Sequence, residues 1–355
     1  MTRTSKLTSL FPERVDAMLV TDEISIRYLT DFPFEDGFLL ITRDDPFLCT
    51  DFRYVEAAQA SCPDFRVKMF VGDRWELLAE LLEKSGVKNL LFEDTHCPVS
   101  MLNELKERFP GVAFLPAGEL VEGLMAIKDE GEYKNILRAQ RIAEEGLGDA
   151  FASVCPEITE KEFAYTLEYT MMRAGSEERA FPTIAITGET TSRPHGVPQD
   201  VCLRKGFLTI DFGAKYNGYC SDMTRTVSLG RATDEMKKVY QTVLDAQKTA
   251  LDLILSGERN CRKIDGAARD LIENAGYHNA FGHGLGHGVG LRIHEAPRLS
   301  PRCGENEVLL PGHIVTVEPG IYLAGKFGVR IEDMVYIREN DAVNLTTAPK
   351  ELVEL

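Results

Sequence analysis

The chain has 355 residues, 44% of them hydrophobic, and a formal net charge of −16. Such a length accommodates about two domains, each able to bury a core. Up to Lys128 there are 14 Lys+Arg against 22 Asp+Glu, and the remainder has 26 against 34, so neither part offers the basic surface that nucleic acid or an anionic membrane requires.

Residues 1 to about 120 alternate short apolar runs with helical spacing. AMLVT (17–21), GFLLIT (37–42), PFLCT (46–50), VKMF (67–70) and NLLFE (89–93) read as strands. Phe52 to Ala60, Trp75 to Lys84 and Val99 to Phe109 have helical periodicity. This predicts a layered α/β domain with a partly parallel sheet. It contains no GxGxxG, P-loop or acid cluster, so it reads as a structural or lid domain. The loop Asp31 to Asp36 holds Phe32, Pro33 and Phe34 between acids and suggests either a lid contact or a local core.

A boundary is expected between Pro116 and Asp129, giving domains 1–120 and 121–355. Asp129 and Glu132 have capping-box spacing before a helix expected to run to about Val154. A second helix is expected from Glu160 to Ala174, and others at Asp234–Leu255 and Arg262–Ala275. FPTIAITG, GFLTIDFG, YCSDMTRTVSLG, HIVTVEPG and VRIEDMVYI read as strands. The eight cysteines, at 49, 62, 97, 155, 202, 220, 261 and 303, form no CxxC pair, which points to thiols kept reduced in a cytoplasm. The first residues show no apolar leader core, and no run approaches the eighteen apolar residues of a membrane span, so no membrane partner is expected.

The chemistry gathers late in the chain. HGLGHGVGLRIHEAP places His283, His287 and His294 in a stretch with glycines at 282, 284, 286, 288 and 290. Glycines leave the backbone free to bend tightly and let a metal or substrate approach it. Glu318 and Glu332 follow in VTVEPGIYL and GVRIEDMV, and Asp211 and Asp222 precede them in IDFGAKYNGYCSDMTRT. Converging carboxylates need cations, since two like charges at about 4 Å cost roughly 4 kcal/mol at an effective dielectric near 20. Two divalent ions balance four carboxylates, and a single imidazole gives an oxygen-rich set suited to manganese, with cobalt or zinc as alternatives. Such a pair activates water and polarises a carbonyl, which points to metal-assisted hydrolysis. HEAPR lacks the second histidine of a zincin helix, the glycines lack P-loop spacing, and there is no GxSxG elbow.

The set DFGAKYNGYCSDMTRT, HGLGHGVGLRIHE, VTVEPGIY and GVRIED resembles the pita-bread metallopeptidases, specifically the proline-specific branch of Xaa-Pro dipeptidases (prolidases) and Xaa-Pro aminopeptidases. YLTDF, GFLLIT and DFRYVEAA resemble, more weakly, the creatinase-type N-terminal domain. The resemblance implies an α/β (α+β) chain: a creatinase-like α/β domain at 1–120, then a pita-bread catalytic domain at 121–355. It implies Asp211 as a chelating ligand, Asp222 and Glu332 as bridging ligands, and His287 and Glu318 as ligands of the second ion, Glu318 also moving the proton. It implies His195, His283 and His294 as pocket histidines, His195 on the proline side and His294 near the scissile bond. Arg330 matches an arginine that orients ligands, and Arg298 one that grips the carboxylate of a dipeptide.

The expected activity is hydrolysis of the Xaa-Pro bond, in dipeptides or, as the alternative, at the N-terminus of longer peptides. A catalytically inactive pita-bread binding protein is a further alternative, disfavoured because all five ligands are present. The expected partners are a peptide with proline after the cleaved bond and a second copy of the chain, one N-terminal domain closing over its partner's site.

Overall fold

A computed structural model describes residues 1–155 and 157–355. These form two compact units, Met1–Met125 and Ala126–Leu355. The division falls within the expected Pro116–Asp129 region, five residues beyond 120/121, at the end of a short helix, Leu120–Ala126.

The first unit contains, in order, α1 (Arg3–Ser9), β1 (Ala17–Val20), α2 (Glu23–Thr30), β2 (Phe38–Thr42), β3 (Pro46–Thr50), α3 (Val55–Ser61), β4 (Arg66–Met69), α4 (Arg74–Lys84), β5 (Asn89–Phe92), α5 (Val99–Arg108), β6 (Ala113–Pro116) and α6 (Leu120–Ala126). The strands form one sheet in the order β4-β3-β2-β1-β5-β6. β2 runs antiparallel to β1 and β3, and the other pairs are parallel. Ala17, Leu19, Phe38, Leu40 and Leu90 pack one face against Trp75, Leu78 and Leu82 of α4 and Leu105 of α5. In the loop after α2, Phe34 is buried and its ring stacks on Phe32 at 5.7 Å. Phe34 thus belongs to the local core of its own unit.

The second unit begins with α7 (Glu130–Phe151) and α8 (Glu160–Arg173). Asp129 accepts from the Gly131 and Glu132 amides while Glu132 accepts from Asp129 N–H, the reciprocal cap its spacing predicts. Then follow β7 (Ile184–Thr187), β8 (Gly206–Phe212), β9 (Lys215–Tyr216), β10 (Tyr219–Cys220), β11 (Met223–Leu229), α9 (Asp234–Leu255) and α10 (Cys261–Asn274). The chain ends with β12 (Gly286–Gly288), β13 (Glu295–Leu299), β14 (Ile314–Val317), β15 (Gly320–Leu323), β16 (Phe327–Arg330), β17 (Asp333–Ile337) and β18 (Ala342–Asn344). β11-β8-β7 form one sheet and β13-β12-β14-β17-β18 another, with β9/β10 and β15/β16 as two-stranded ribbons. Ile142, Leu147, Phe163 and Leu167 of α7 and α8 pack on Ile210 and Phe212 of β8. Val239, Val243, Ile264 and Ala268 of α9 and α10 pack on Val315, Val317 and Val335.

Two local expectations change. VRIEDMVYI is not one strand: it breaks after Arg330, and Glu332 sits in the gap before β17. The glycines at 284, 286 and 288 need no left-handed backbone, since none of them has positive φ. Instead they let strands approach. A Cβ at Gly286 would collide with the Thr316 carbonyl, and one at Gly288 with the Ala296 carbonyl. Among the described residues no helix is long and apolar enough to cross a membrane.

Candidate metal centre

The antiparallel pairing of β8 and β11 sets Thr224 opposite Asp211, so both side chains leave the same face of that sheet. Asp222 lies just before β11 and, like Glu332, is buried. Glu332 is tied to β11 twice: its amide donates to Thr224 O at 3.1 Å, and its Oε2 accepts the Thr224 hydroxyl at 2.6 Å. His287 is the middle residue of β12, and Glu318 follows β14 directly. Their separation is fixed through Thr316, whose hydroxyl accepts from His287 N at 3.1 Å and donates to Glu318 Oε1 at 3.2 Å.

These placements bring ligand atoms of Asp222, His287 and Glu332 within 4.8 Å of one another. His287 Nε2 lies 3.6 Å from Asp222 Oδ2 and 3.4 Å from Glu318 Oε1. Its Nδ1 is 3.0 Å from Gly288 O, so Nδ1–H donates there and the Nε2 lone pair faces the carboxylates. Burial pushes the His287 pKa down to about 3, which keeps the ring neutral and able to ligate. Asp211 is held by Arg330, whose Nη2 donates to Oδ2 at 2.6 Å, while Asp211 Oδ1 is buried without a hydrogen-bond partner.

The electrostatics describe a site short of positive charge. Burial, then Glu332 and Asp211, hold the Asp222 carboxyl well above the usual range. Burial, then Glu318 and Asp211, do the same to Glu332. Burial pushes Glu318 up to about 8 against the opposing pull of Arg330. Burial would lower Arg330, yet Tyr322 and the surrounding carboxylates hold its pKa well above the ordinary value. One guanidinium cannot balance four carboxylates. The orphaned Asp211 oxygen, the crowded carboxyls and the free imidazole nitrogen together fit divalent cations.

A cavity of about 790 Å³ opens over this cluster and is lined by all ten residues singled out from the sequence. His294 lies edge-on to His287, with ring centroids 4.4 Å apart. Burial, then Arg298 and His195, lower its pKa, which favours the neutral ring. His195 lines the cavity with Val197 and Pro198, and Arg330 Nη1 donates to Pro194 O at 3.2 Å, anchoring that loop. Arg298 stands opposite His287 in the β12/β13 register and shares its face. His283 is committed elsewhere. Its Nδ1 is 2.8 Å from Gly284 O, and its Nε2 is 2.9 Å from the Tyr322 hydroxyl.

Three residues of this site are absent from the sequence reading: Thr224, Thr316 and Tyr322. Thr224 and Thr316 each stand two positions from a candidate ligand, the spacing that keeps a strand's side chains on one face. Tyr322 has no such signal, because it lies on a different strand, β15, after the break at Glu318 and Pro319.

The fold and the site define a metallopeptidase. The chain belongs to metallopeptidase family M24, whose profile matches residues 134–339, and the Creatinase/Prolidase N-terminal domain matches 4–127. The family implies divalent metal ions and hydrolase chemistry. The chain is 34% identical over 342 residues to the Xaa-Pro dipeptidase of Pyrococcus horikoshii, covering 96% of this chain and 95% of that protein. In structure it is similar to an Xaa-Pro dipeptidase from Bacillus anthracis, with a TM-score of 0.94, 36% identity and 99% of both chains covered. It is also similar to an X-Pro aminopeptidase from Thermotoga maritima, with a TM-score of 0.90, 36% identity, and 96% of this chain and 98% of that chain covered.

Proposed function

We propose that the chain is a metal-dependent exopeptidase that hydrolyses the Xaa-Pro bond of dipeptides. The carrying observation is a cavity whose floor gathers four carboxylates and an imidazole and whose wall presents Arg298. Relatives named for dipeptide and for aminopeptidase activity are equally similar at 36% identity, so Arg298 decides the reading. A planar guanidinium grips both oxygens of a free carboxylate one residue past the cleaved bond.

Asp211, Asp222, His287, Glu318 and Glu332 would hold two divalent ions, manganese first, with cobalt or zinc as alternatives. Ions held there activate water as a nucleophile and polarise a carbonyl oxygen. Glu318, whose Oε1 lies 3.4 Å from His287 Nε2 in this cluster, would accept the proton of the attacking water and pass it on. His294, kept neutral, donates a hydrogen bond where negative charge develops on the scissile group. His195, with Val197 and Pro198 beside it, seats the proline ring. His283 and Arg330 hold the pocket's shape.

The aminopeptidase alternative keeps the same centre and lets longer peptides leave through the cavity mouth. We also propose a cytoplasmic homodimer: all eight cysteines are unpaired, and the first unit carries none of the ligand set. Light scattering of the active protein tests the dimer, and a fully active monomer contradicts it. For the activity, protein stripped with a chelator and refilled with manganese, cobalt or zinc is assayed on Ala-Pro. Hydrolysis restored by metal supports the reading, and full activity in metal-free protein sinks it. Arg298→Ala is expected to cost about 1.5–3 kcal/mol in transition-state binding on dipeptides and little on longer peptides. Equal losses on both lengths assign the aminopeptidase alternative.

A further inference from the structure

Arg298 is not the only arginine on its wall. Arg302 lines the same cavity, together with Ser300, Cys303 and Glu307. Arg298 leaves β13 on the cavity side while Leu299 is buried in the core, and Ser300, Arg302 and Cys303 reach the cavity from the turn that follows the strand. Beyond Leu299 a turn closed by Cys303 N–H donating to Ser300 O at 3.1 Å brings Arg302 round.

The backbone here is pinned while the Arg302 head group is not. Ser300 Oγ accepts from Arg302 N at 3.2 Å, the Cys303 thiol donates to Arg298 O at 3.1 Å, and Arg262 Nε donates to Cys303 O at 2.8 Å. Glu307, the carboxylate beside this turn, accepts from Gly304 N at 3.0 Å. Among the described residues neither Arg298 nor Arg302 has a side-chain hydrogen bond or ion pair. Both residues are exposed and both line the cavity, so their guanidinium groups are open to an anionic ligand entering it. Arg298 is the inner of the two: it faces His287 across the strand pair, and its charge bears on His287, His294 and Glu318. Arg302 lies further along the wall.

We propose that Arg302 is an outer carboxylate subsite that takes the C-terminal carboxylate of Xaa-Pro-Yaa tripeptides, so that the two arginines serve substrates of two lengths. The proposal rests on the Xaa-Pro peptidase reading and extends it. A dipeptide ends at Arg298. A tripeptide ends one residue further out, where one carboxylate oxygen pair meets a guanidinium already freed of competing acids. Binding there adds affinity for the substrate without touching the reacting atoms, so it acts on KM.

The test uses metal-loaded full-length protein with four substrates: Ala-Pro, Ala-Pro-amide, Ala-Pro-Ala and Ala-Pro-Ala-amide. Arg302→Gln is expected to raise KM for Ala-Pro-Ala about tenfold with kcat nearly unchanged, the loss typical of one charged hydrogen-bonding pair. Ala-Pro-Ala-amide, which lacks the carboxylate, should already show the raised KM in the wild type and change little in the variant. Arg302→Lys should regain part of the lost affinity. Ala-Pro should change less than twofold. An unchanged KM for Ala-Pro-Ala in Arg302→Gln, or equal losses on acid and amide, overturns the subsite while leaving the peptidase reading intact. A wild-type enzyme that cleaves Ala-Pro but not Ala-Pro-Ala also overturns it. A wild type that cleaves none of the four removes the peptidase reading and this proposal with it.

Discussion

Lys128 Nζ lies 2.7 Å from Glu295 Oε2 in the interior of the second unit, with side chains 1% and 5% exposed. The same carboxylate accepts from Arg292 N through Oε1 at 2.9 Å, so one acid ties the first residues of the unit to the loop that carries His294. Removing one partner leaves the other charge buried and unpaired, which typically costs about 3–5 kcal/mol. Lys128→Met and Glu295→Gln are each expected to lower unfolding free energy by that order, read from urea titration of metal-loaded protein. The double variant Lys128→Met/Glu295→Met should recover much of the loss. Single variants with wild-type midpoints would show that the pair contributes nothing net.

The carboxylate cluster makes the stripped protein sensitive to alkali. Burial pushes Glu318 from its ordinary 4.5 up to about 8. A carboxyl raised on folding contributes stability fully present below the unfolded pKa and lost as pH rises through the folded one. Metal-free wild type is therefore expected to lose melting temperature between about pH 4.5 and 8 relative to Glu318→Gln, which cannot ionise, with an upper bound of about 5 kcal/mol for the whole shift. Divalent ions favour the ionised carboxyl and should flatten the wild-type curve. Parallel curves for the two stripped proteins contradict this.

Asp222 tests the charge argument directly. Asparagine keeps the shape and removes one buried negative charge beside Glu332 and Asp211. The loaded variant is expected to hold at most one divalent ion per chain by elemental analysis, where the wild type is expected to hold about two. The stripped variant should be more stable than the stripped wild type, because the desolvated like charge is gone. Two ions retained in Asp222→Asn would remove Asp222 from the bridging role.

Much of this was legible in the sequence because local rules and the fold agree. The Asp129/Glu132 cap starts α7, and Asp234–Leu255 has the bounds its periodicity predicts. The ten candidate residues each stand in a distinctive local string, and all ten line one cavity. What was not legible depends on contacts distant in sequence. The break at Glu332 goes with its bonds to Thr224, about a hundred residues earlier, where the local sequence reads as one uninterrupted strand. The use of glycine at 286 and 288 depends on which carbonyls lie opposite, Thr316 and Ala296, and no spacing rule announces that.

Tyr322 is the clearest such case, and its role follows from the direction of its hydrogen bonds. Arg330 Nη1 donates to the Tyr322 oxygen at 2.9 Å. His283 Nδ1–H donates to Gly284 O, so His283 Nε2 accepts the hydrogen bond of the Tyr322 hydroxyl. Burial pushes His283 down to about 4 and Tyr322 up to about 12, so both stay neutral at pH 7 and the chain keeps its direction. Arg330 in turn holds Asp211 and the Pro194 carbonyl beside His195. Tyr322→Phe removes one acceptor from Arg330 and strands His283 Nε2 without a donor. The expected cost is about 1–3 kcal/mol of stability, the usual penalty for a buried polar group left unpaired. Because the loosened Arg330 no longer fixes the His195 loop, kcat/KM on Ala-Pro should fall about tenfold through KM, the size of one lost charged hydrogen bond. Nitrogen-15 NMR of labelled histidine reads the cause: wild-type His283 should show a protonated Nδ1 and a hydrogen-bonded, unprotonated Nε2 at pH 7, and the variant should shift the Nε2 signal. An unshifted His283 signal together with an unchanged KM would show that the Tyr322 hydroxyl does not organise this wall of the cavity.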